Sequence, residues 1–369
     1  MTKILVTGAE GFIGKNLVVS LENENIKVIK FTKEHRIEQL SDFVCQVDFI
    51  YHLAGINRPK DDNEFVKGNV NFTENLVEII KKSNRKIPIL FTSSIQAKLD
   101  NPYGKSKREA EEIIRKYGEE TNTEVYIYRL PNVFGKWCRP NYNSVIATFC
   151  YNIARDLPIK INDPDIELNL VYIDDVVEEF INALHGKANK VGEFCEIPVN
   201  HKVKLGKIAE LIYSFKESRR NKTIPDMSDS FTKKLYSTYL SYLPEDQFSY
   251  ELKMNVDHRG SFTEIIRTVD RGQVSVNITK PGVKKGNHWH HTKNEKFLVV
   301  SGNGVIRFRR VDSDEVIEYY VSEDKLEVVD IPPGYVHNIE NIGDKDLVTI
   351  MWANEPFDPE DPDTYYMEV

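Results

Sequence analysis

At 369 residues the chain exceeds what one hydrophobic core usually organises, so two domains are expected. Hydrophobic residues make up 40% and charged residues 29%, the balance of an ordinary globular protein rather than a disordered or membrane-spanning one. The formal net charge of -8, with no long run of Lys and Arg, speaks against nucleic acid or an anionic membrane as the main partner, because both need a concentrated basic surface.

No apolar stretch approaches the roughly 20 residues of a membrane span, and the start of the chain lacks the pattern of a signal peptide. Cys45, Cys138, Cys150 and Cys195 are scattered without a C-x-x-C pair. Reduced thiols and a cytoplasmic location are therefore expected.

From residue 3 to about 175, apolar strand-like runs alternate with helical patterns. Strands are expected at 3–7, 27–31, 48–53, 88–92 and 125–130, and helices at 13–22, 64–82 and 105–120. Such alternation predicts an α/β Rossmann-type fold, a doubly wound parallel sheet covered on both faces. Residues 176 to 245 read as mostly helical. There Phe231, Leu235, Tyr239 and Tyr242 recur at three-to-four spacing, a stripe expected to pack against the first domain. After Leu243-Pro244 the texture changes. Short strands follow closely, at 249–256, 262–268, 273–279, 295–300, 304–309, 316–321, 326–330 and 346–352. That spacing predicts an all-β sandwich or barrel, with domains 1–245 and 246–369.

Gly8, Gly11 and Gly14, with Phe12 and Ile13, form a glycine-rich turn between the apolar run Ile4-Leu5-Val6 and the first helix. A turn of this kind lets the backbone approach a pyrophosphate, which then rests on the helix N-terminus. Tyr103 and Lys107 stand four apart at the start of a helix and so share a face. A lysine beside a phenol favours the phenolate, and a ribose hydroxyl can relay the proton. The pair thus suits a general acid for a carbonyl being reduced. Ser94, at a strand end, is placed to hold the same carbonyl oxygen.

With these pieces, residues 1–245 resemble the extended short-chain dehydrogenase/reductase family, in its nucleotide-sugar-modifying branch. The resemblance rests on Thr7-Gly8-Ala9-Glu10-Gly11-Phe12-Ile13-Gly14, His52-Leu53-Ala54-Gly55, Asn69-Val70-Asn71, Ser93-Ser94 and Pro102-Tyr103-Gly104-Lys105-Ser106-Lys107. Arg129-Leu130-Pro131-Asn132-Val133-Phe134-Gly135 and Tyr172-Ile173-Asp174-Asp175-Val176 complete the pattern. It implies Ser94, Tyr103 and Lys107 as the catalytic set, NAD or NADP as cofactor with Leu53 and Ala54 beside it, and Asn132 in substrate binding. Members preferring NAD usually end the second strand with an acidic residue on the ribose hydroxyls. Here Thr32 takes that slot, with Lys33 and Arg36 close by, so a 2′-phosphate and hence NADPH is expected.

In the second half, His288, His290 and Glu295 lie in a G-x5-H-x-H-x4-E-x6-G pattern, and His337 in P-x-G-x2-H-x3-N. Residues two apart on a strand face the same way, so His288 and His290 point together. With Glu295 and His337 they make a three-nitrogen, one-oxygen set suited to one divalent metal. Zinc is favoured, since no redox chemistry is required.

Residues 246–369 resemble the cupin superfamily, although Leu326 stands where the second motif usually has a leading glycine. A narrower resemblance is to the nucleotide-diphospho-4-keto-sugar epimerases, through Asp257-His258-Arg259-Gly260-Ser261-Phe262-Thr263-Glu264 and Gly286-Asn287-His288. It implies nucleotide-sugar contacts for Arg259, Phe262 and Glu264 and gives His288 the place of the proton-abstracting base. A histidine ligating a metal through one nitrogen is a poor free base. His288 is therefore assigned to the metal, with Lys296 and Asp257 as candidate bases and Tyr335 as a candidate acid.

A proton next to a ketone is acidic through its enolate, and reduction removes that acidity, so epimerisation must precede reduction. The whole chain resembles the bifunctional bacterial enzymes of capsular polysaccharide precursor synthesis. That resemblance implies UDP-2-acetamido-2,6-dideoxy-4-hexulose as substrate, inverted at C3 by the cupin domain. The first domain would then reduce C4 with NADPH to the talose configuration, the precursor of UDP-N-acetyl-L-fucosamine. A homodimer is expected, as cupins often dimerise. Two alternatives stay open. One is a plain reductase with a non-catalytic cupin for binding or dimerisation. The other is a dehydratase or epimerase with tightly held NAD, a subgroup that typically carries acidic residues where Ile95 and Gln96 follow Ser94.

Overall fold

The computed structural model describes residues 2–24, 26–252, 255–257, 260–262, 272–355 and 360–369. It divides into two compact units, Met1–Phe134 with Leu168–Lys202, and Gly135–Glu167 with Val203–Val369. Among the described residues no helix is long and apolar enough to cross a membrane. Cys150 and Cys195 are buried, whereas Cys45 is exposed; all four thiols are free.

In the first unit, strands Lys27–Phe31, Lys3–Thr7, Phe49–His52, Ile89–Ser94 and Val125–Leu130 lie side by side in that order, all parallel. A short hairpin of Phe194–Cys195 and Lys190–Val191 extends that edge. The central strands are buried almost continuously, as a parallel sheet covered on both faces requires. On one face, helices Phe72–Lys82 and Pro102–Thr121 pack Leu76, Ile80, Ile114 and Tyr117 against Leu5, Ile50, Phe91 and Ile127. The hydroxyl of Tyr51 donates to the Phe180 carbonyl (2.9 Å), which fastens helix Ile173–Leu184 to the sheet. Strand order reverses between Lys3–Thr7 and Phe49–His52, the crevice where doubly wound sheets bind ligands.

The single helix expected over 64–82 is broken into three pieces. Asn63–Phe65 leads into a π-helical stretch, Val66–Asn71, before the regular helix Phe72–Lys82 begins. Such wide turns are frequent at functional sites.

The second unit is built on two five-stranded antiparallel sheets. One runs Ser249–Glu251, Glu327–Ile331, Glu295–Ser301, Leu347–Ala353, Gln273–Thr279. The other runs Val316–Ser322, Asn303–Arg310, Tyr335–Asn341, Lys284–Trp289, Tyr365–Tyr366. Phe297 of the first sheet lies 5.9 Å from His337 of the second, so these residues face each other across the interior. Helices Leu205–Asn221 and Ser230–Leu240 belong to this unit. Of the expected stripe, Tyr239 lies 6.0 Å from Phe215 and the Tyr242 hydroxyl donates to the Cys138 carbonyl (2.5 Å), both within this unit. Of the strand expected at 262–268, residues 263–268 lie outside the described residues.

Candidate active and metal sites

The glycine turn has the close-packed form that a dinucleotide cradle needs. Gly8 has φ +71°, and a Cβ there would meet the Ala54 backbone nitrogen at 2.8 Å. A Cβ on Gly14 would lie 2.2 Å from the Gly8 carbonyl, so only glycine lets the helix start so near the strand. Helix Phe12–Asn23 begins at Gly11 with no side-chain cap and no acidic residue in its first turn. Its first N–H groups and its dipole are thus left for an anion. Ala54 donates its backbone N–H to Thr7 Oγ1 (3.3 Å), holding the neighbouring strand end beside the turn.

Beneath the turn, His52 is buried with Nδ1 2.8 Å from Thr7 Oγ1 and Nε2 2.9 Å from Thr73 Oγ1. Burial, reinforced by Lys107, lowers its pKa to about 3, so it is neutral. Thr73 in turn donates to the Asn69 carbonyl (2.6 Å). The Asn69 side chain accepts from Ile56 N (2.7 Å) and donates to Ile56 O (3.1 Å) and Ser106 Oγ (3.0 Å). Ser106 then donates to the Tyr103 carbonyl (2.9 Å). Asn69 therefore ties the loop after Phe49–His52 to the helix that carries Tyr103 and Lys107, a role the sequence did not reveal; the π-helical stretch aims it there.

Tyr103 and Lys107 occupy the first turns of helix Pro102–Thr121, capped by Asn101, whose side chain accepts from Gly104 N (2.7 Å). Ser94 ends strand Ile89–Ser94, and its hydroxyl accepts from Gln96 N (3.2 Å) and hydrogen-bonds Tyr103. The three residues expected to act together are thus brought together. Lys107 is buried, donates to the Thr92 carbonyl (2.9 Å), and sits 4.9 Å over the Phe91 ring. Burial lowers its pKa to about 8, against an upward pull from Glu111. Burial raises the Tyr103 phenol, and the Ser94 hydrogen bond lowers it by less. The phenol is held protonated rather than shifted to the phenolate that a neighbouring lysine was expected to favour.

At the end of the second strand, Thr32 Oγ1 lies 3.0 Å from His35 Nδ1, and the His35 ring stacks on Phe31. Lys33 and Arg36 are exposed and make no salt bridge among the described residues. Asn132, on strand Asn132–Phe134, is exposed.

In the second unit, the ligating atoms of His288, His290, Glu295 and His337 all lie within 4.8 Å of one another. Strand Lys284–Trp289 and the residue after it bring His288 and His290, strand Tyr335–Asn341 brings His337, and Glu295 comes from the opposite sheet. Glu295 Oε2 is 3.5 Å from His290 Nε2 and 3.4 Å from His337 Nε2. A tetrahedral ion with ~2.1 Å bonds spaces its ligands about 3.4 Å apart, so the donor set fits. Among the described residues, His290 Nε2, His337 Nε2 and Glu295 Oε2 are buried without hydrogen-bond partners, as the donor atoms of a metal site would be. Burial and the other two imidazoles lower His288 to about 3, and burial lowers His337. Burial would raise Glu295, but His290 and His337 outweigh it and hold the carboxyl below its usual range. Neutral imidazoles with a carboxylate are the coordinating forms.

Lys296 is not part of this cluster. It lies on the other face of its strand, donates to Asp330 Oδ1 (2.6 Å), and shares that carboxylate with Arg219 (3.2 Å). Burial would lower its pKa, but Asp330, with Tyr236 and Tyr250, outweighs burial and holds the ammonium well above the lysine range. A buried, paired ammonium facing away from the histidines cannot be the base there. Tyr335 is buried two residues before His337, and its hydroxyl donates to Glu245 (3.1 Å). Burial and Glu245 raise its pKa, keeping it protonated. Arg259 and Glu264 lie outside the described residues. Asp257 and Phe262 are described only as parts of the two-stranded ribbon Asn255–Asp257 and Gly260–Phe262.

The model of the NAD dependent epimerase/dehydratase family matches residues 4–197, and that of the Polysaccharide biosynthesis C-terminal domain matches residues 255–365. A UDP-2-acetamido-2,6-beta-L-arabino-hexul-4-ose reductase of Pseudomonas aeruginosa is 48% identical over 368 residues, covering 100% of this chain and 99% of that one. The crystal structure of the capsular polysaccharide assembling protein CapF from Staphylococcus aureus superposes with a TM-score of 0.69 at 58% identity, covering 99% of this chain and 100% of that chain. A UDP-glucuronic acid 4-epimerase from Bacillus cereus shares the fold over 58% of this chain and 83% of that one, with a TM-score of 0.52 and 23% identity. With one family model spanning more than half its length and full-length relatives this alike, the chain belongs to the NAD dependent epimerase/dehydratase family, in the CapF-like branch that adds a polysaccharide biosynthesis C-terminal domain.

Proposed function

We propose that the chain is a cytoplasmic, NADPH-dependent reductase of a UDP-linked 4-keto-2-acetamido-2,6-dideoxy sugar. Its C-terminal cupin first inverts C3 of the same sugar, in the making of a capsular polysaccharide precursor. Residues 1–245 carry the reduction and 246–369 the inversion. The observation that carries this reading is the convergence of Ser94, Tyr103 and Lys107 beside a glycine turn, in a chain alike end to end to a UDP-keto-sugar reductase.

The nicotinamide cofactor, cradled by the turn of Gly8, Gly11 and Gly14 with Phe12 and Ile13 and bordered by Leu53 and Ala54, supplies a hydride when bound. Thr32, Lys33 and Arg36 favour a 2′-phosphate, since Thr32 stands where an acidic residue would select NAD and the two exposed cations lie close by. Tyr103, kept protonated by burial, gives its proton to the C4 oxygen as the alcohol forms. Ser94 steadies that oxygen, and the Lys107 ammonium stabilises the phenolate left behind. Asn132 contacts the sugar nucleotide. In the cupin, Arg259, Phe262 and Glu264 hold the nucleotide sugar, Asp257 is the remaining candidate base and Tyr335 the candidate acid. His288, His290, Glu295 and His337 would hold one divalent ion, zinc by donor chemistry, which organises the barrel. The chain works as a homodimer.

Incubation with UDP-2-acetamido-2,6-dideoxy-4-hexulose in deuterated water, followed by NMR, tests both steps. Deuterium at C3 without NADPH, and a talo-configured alcohol with it, are expected. An alcohol formed without any C3 exchange would leave a plain reductase with a non-catalytic cupin.

A further inference from the structure

The group that orients His290 comes from the far end of the chain. His290 Nδ1 lies 2.5 Å from the backbone carbonyl of Asp363. A carbonyl only accepts, so the proton sits on Nδ1 and the Nε2 lone pair is left facing Glu295 and the cluster. The Asp363 carboxylate holds the turn that follows: Oδ1 accepts from His291 N (2.9 Å), and Oδ2 from Thr292 N (2.9 Å), Thr292 Oγ1 (3.0 Å) and Lys293 N (2.7 Å). Beyond it, Tyr365–Tyr366 pairs with Lys284–Trp289 in the register His288↔Tyr366 and Trp289↔Tyr365, and Met367 donates its N–H to the Asn287 carbonyl (3.0 Å). One segment therefore grips the backbone on both sides of the two histidines.

We propose that Asp363 is a positioning residue of the metal site, and that residues 360–369 form a strap that fixes the tautomer and aim of His290. This rests on the reading of His288, His290, Glu295 and His337 as metal ligands. Asp363 has φ +35°, a backbone conformation that Gly and Asn also adopt readily. Asp363→Gly thus removes the carboxylate while leaving the carbonyl, and Asp363→Asn keeps one acceptor.

The test uses full-length, zinc-loaded protein, read by zinc competition with a chromogenic chelator and by the visible spectrum after cobalt substitution. Loss of such supporting groups usually weakens metal affinity ~10–100-fold. Asp363→Gly should fall in that range and alter the cobalt band intensity, which reports ligand geometry rather than global stability; Asp363→Asn should fall between it and the native protein. If Asp363→Gly does not fold, Asp363→Asn carries the same two readouts. Native affinity and an unchanged cobalt spectrum in the folded variants overturn the strap. Native protein that takes up no zinc overturns the metal site itself, and the strap with it.

Discussion

Glu295 and Lys296 are neighbours in the chain but stand on opposite faces of one strand. Glu295 meets His290 and His337 at 3.5 and 3.4 Å, whereas Lys296 is buried 2.6 Å from Asp330. One strand thus carries a metal-type carboxylate on its inner face and the anchor of a buried ion cluster, with Arg219, on its outer face.

A first prediction follows from that separation. Among the described residues, Lys296→Met leaves the fully buried Asp330 carboxylate with Arg219 as its one remaining ion-pair partner. Breaking a buried pair costs ~3–5 kcal/mol, and the remaining guanidinium places this case near the lower end. Urea unfolding should show that loss while zinc uptake and C3 exchange persist in the folded protein. Full stability with abolished exchange would return Lys296 to catalysis.

For reduction, Tyr103→Phe removes the proposed proton donor but keeps the ring against Phe65, 5.5 Å away. NADPH oxidation should drop by ~10²–10⁴, the usual loss for a general acid. Deuterium exchange at C3 should continue at the native rate. An unchanged reduction rate would sink the assignment.

The depressed pKa of Lys107, about 8, gives reduction a pH limb. Its ammonium is present below that value and lost above it, so kcat/KM should fall as pH rises through about 8. Lys107→Arg, with a guanidinium that stays charged, should remove the limb from this range even if it lowers the plateau. A native profile flat to pH 10 would dissociate Lys107 from the chemistry.

Cofactor choice is tested at the end of the second strand. Removing both charges, Lys33→Gln with Arg36→Gln, should weaken NADPH selectively. Hydrogen bonds to charged groups contribute ~1.5–3 kcal/mol, and exposure argues for the lower bound, about tenfold for each residue. Native enzyme with equal affinity for NADPH and NADH contradicts the assignment of Thr32, Lys33 and Arg36.

The parallel sheet was legible because its strands are short apolar runs bounded by turn residues, and strands 3–7, 27–31 and 125–130 fall where the pattern put them. The histidine-bearing strands were not, although the strand of Glu295 was. Lys284-Lys285-Gly286-Asn287-His288-Trp289 has no apolar alternation, and its register shifts between Gly286 and His288, with Asn287 at φ +59°. Motif spacing found the histidines where periodicity could not. The placement of Lys296 was also legible: adjacent strand residues face opposite ways, so it does not share the face of Glu295. Asn69 and Asp363 act through hydrogen bonds to partners 13 and 73 residues away, contacts that no local pattern records.

The metal prediction separates two roles. Elemental analysis of native protein should give about one zinc per chain, falling sharply in His290→Ala. The four candidate ligands sit between facing sheets, with His290 and His337 almost fully buried. Without an ion, Glu295 Oε2 and the two imidazole Nε2 atoms remain unsatisfied, at ~1–3 kcal/mol for each buried group. A structural ion therefore predicts that His290→Ala loses thermal stability and C3 exchange together, while NADPH binding by the first unit persists. An ion that polarises the keto oxygen predicts instead that exchange fails even where the fold survives. The donor set favours the first outcome: four protein ligands complete a tetrahedral shell, whereas catalytic zinc keeps a position open. Metal-free native protein with full stability and full exchange would remove both roles.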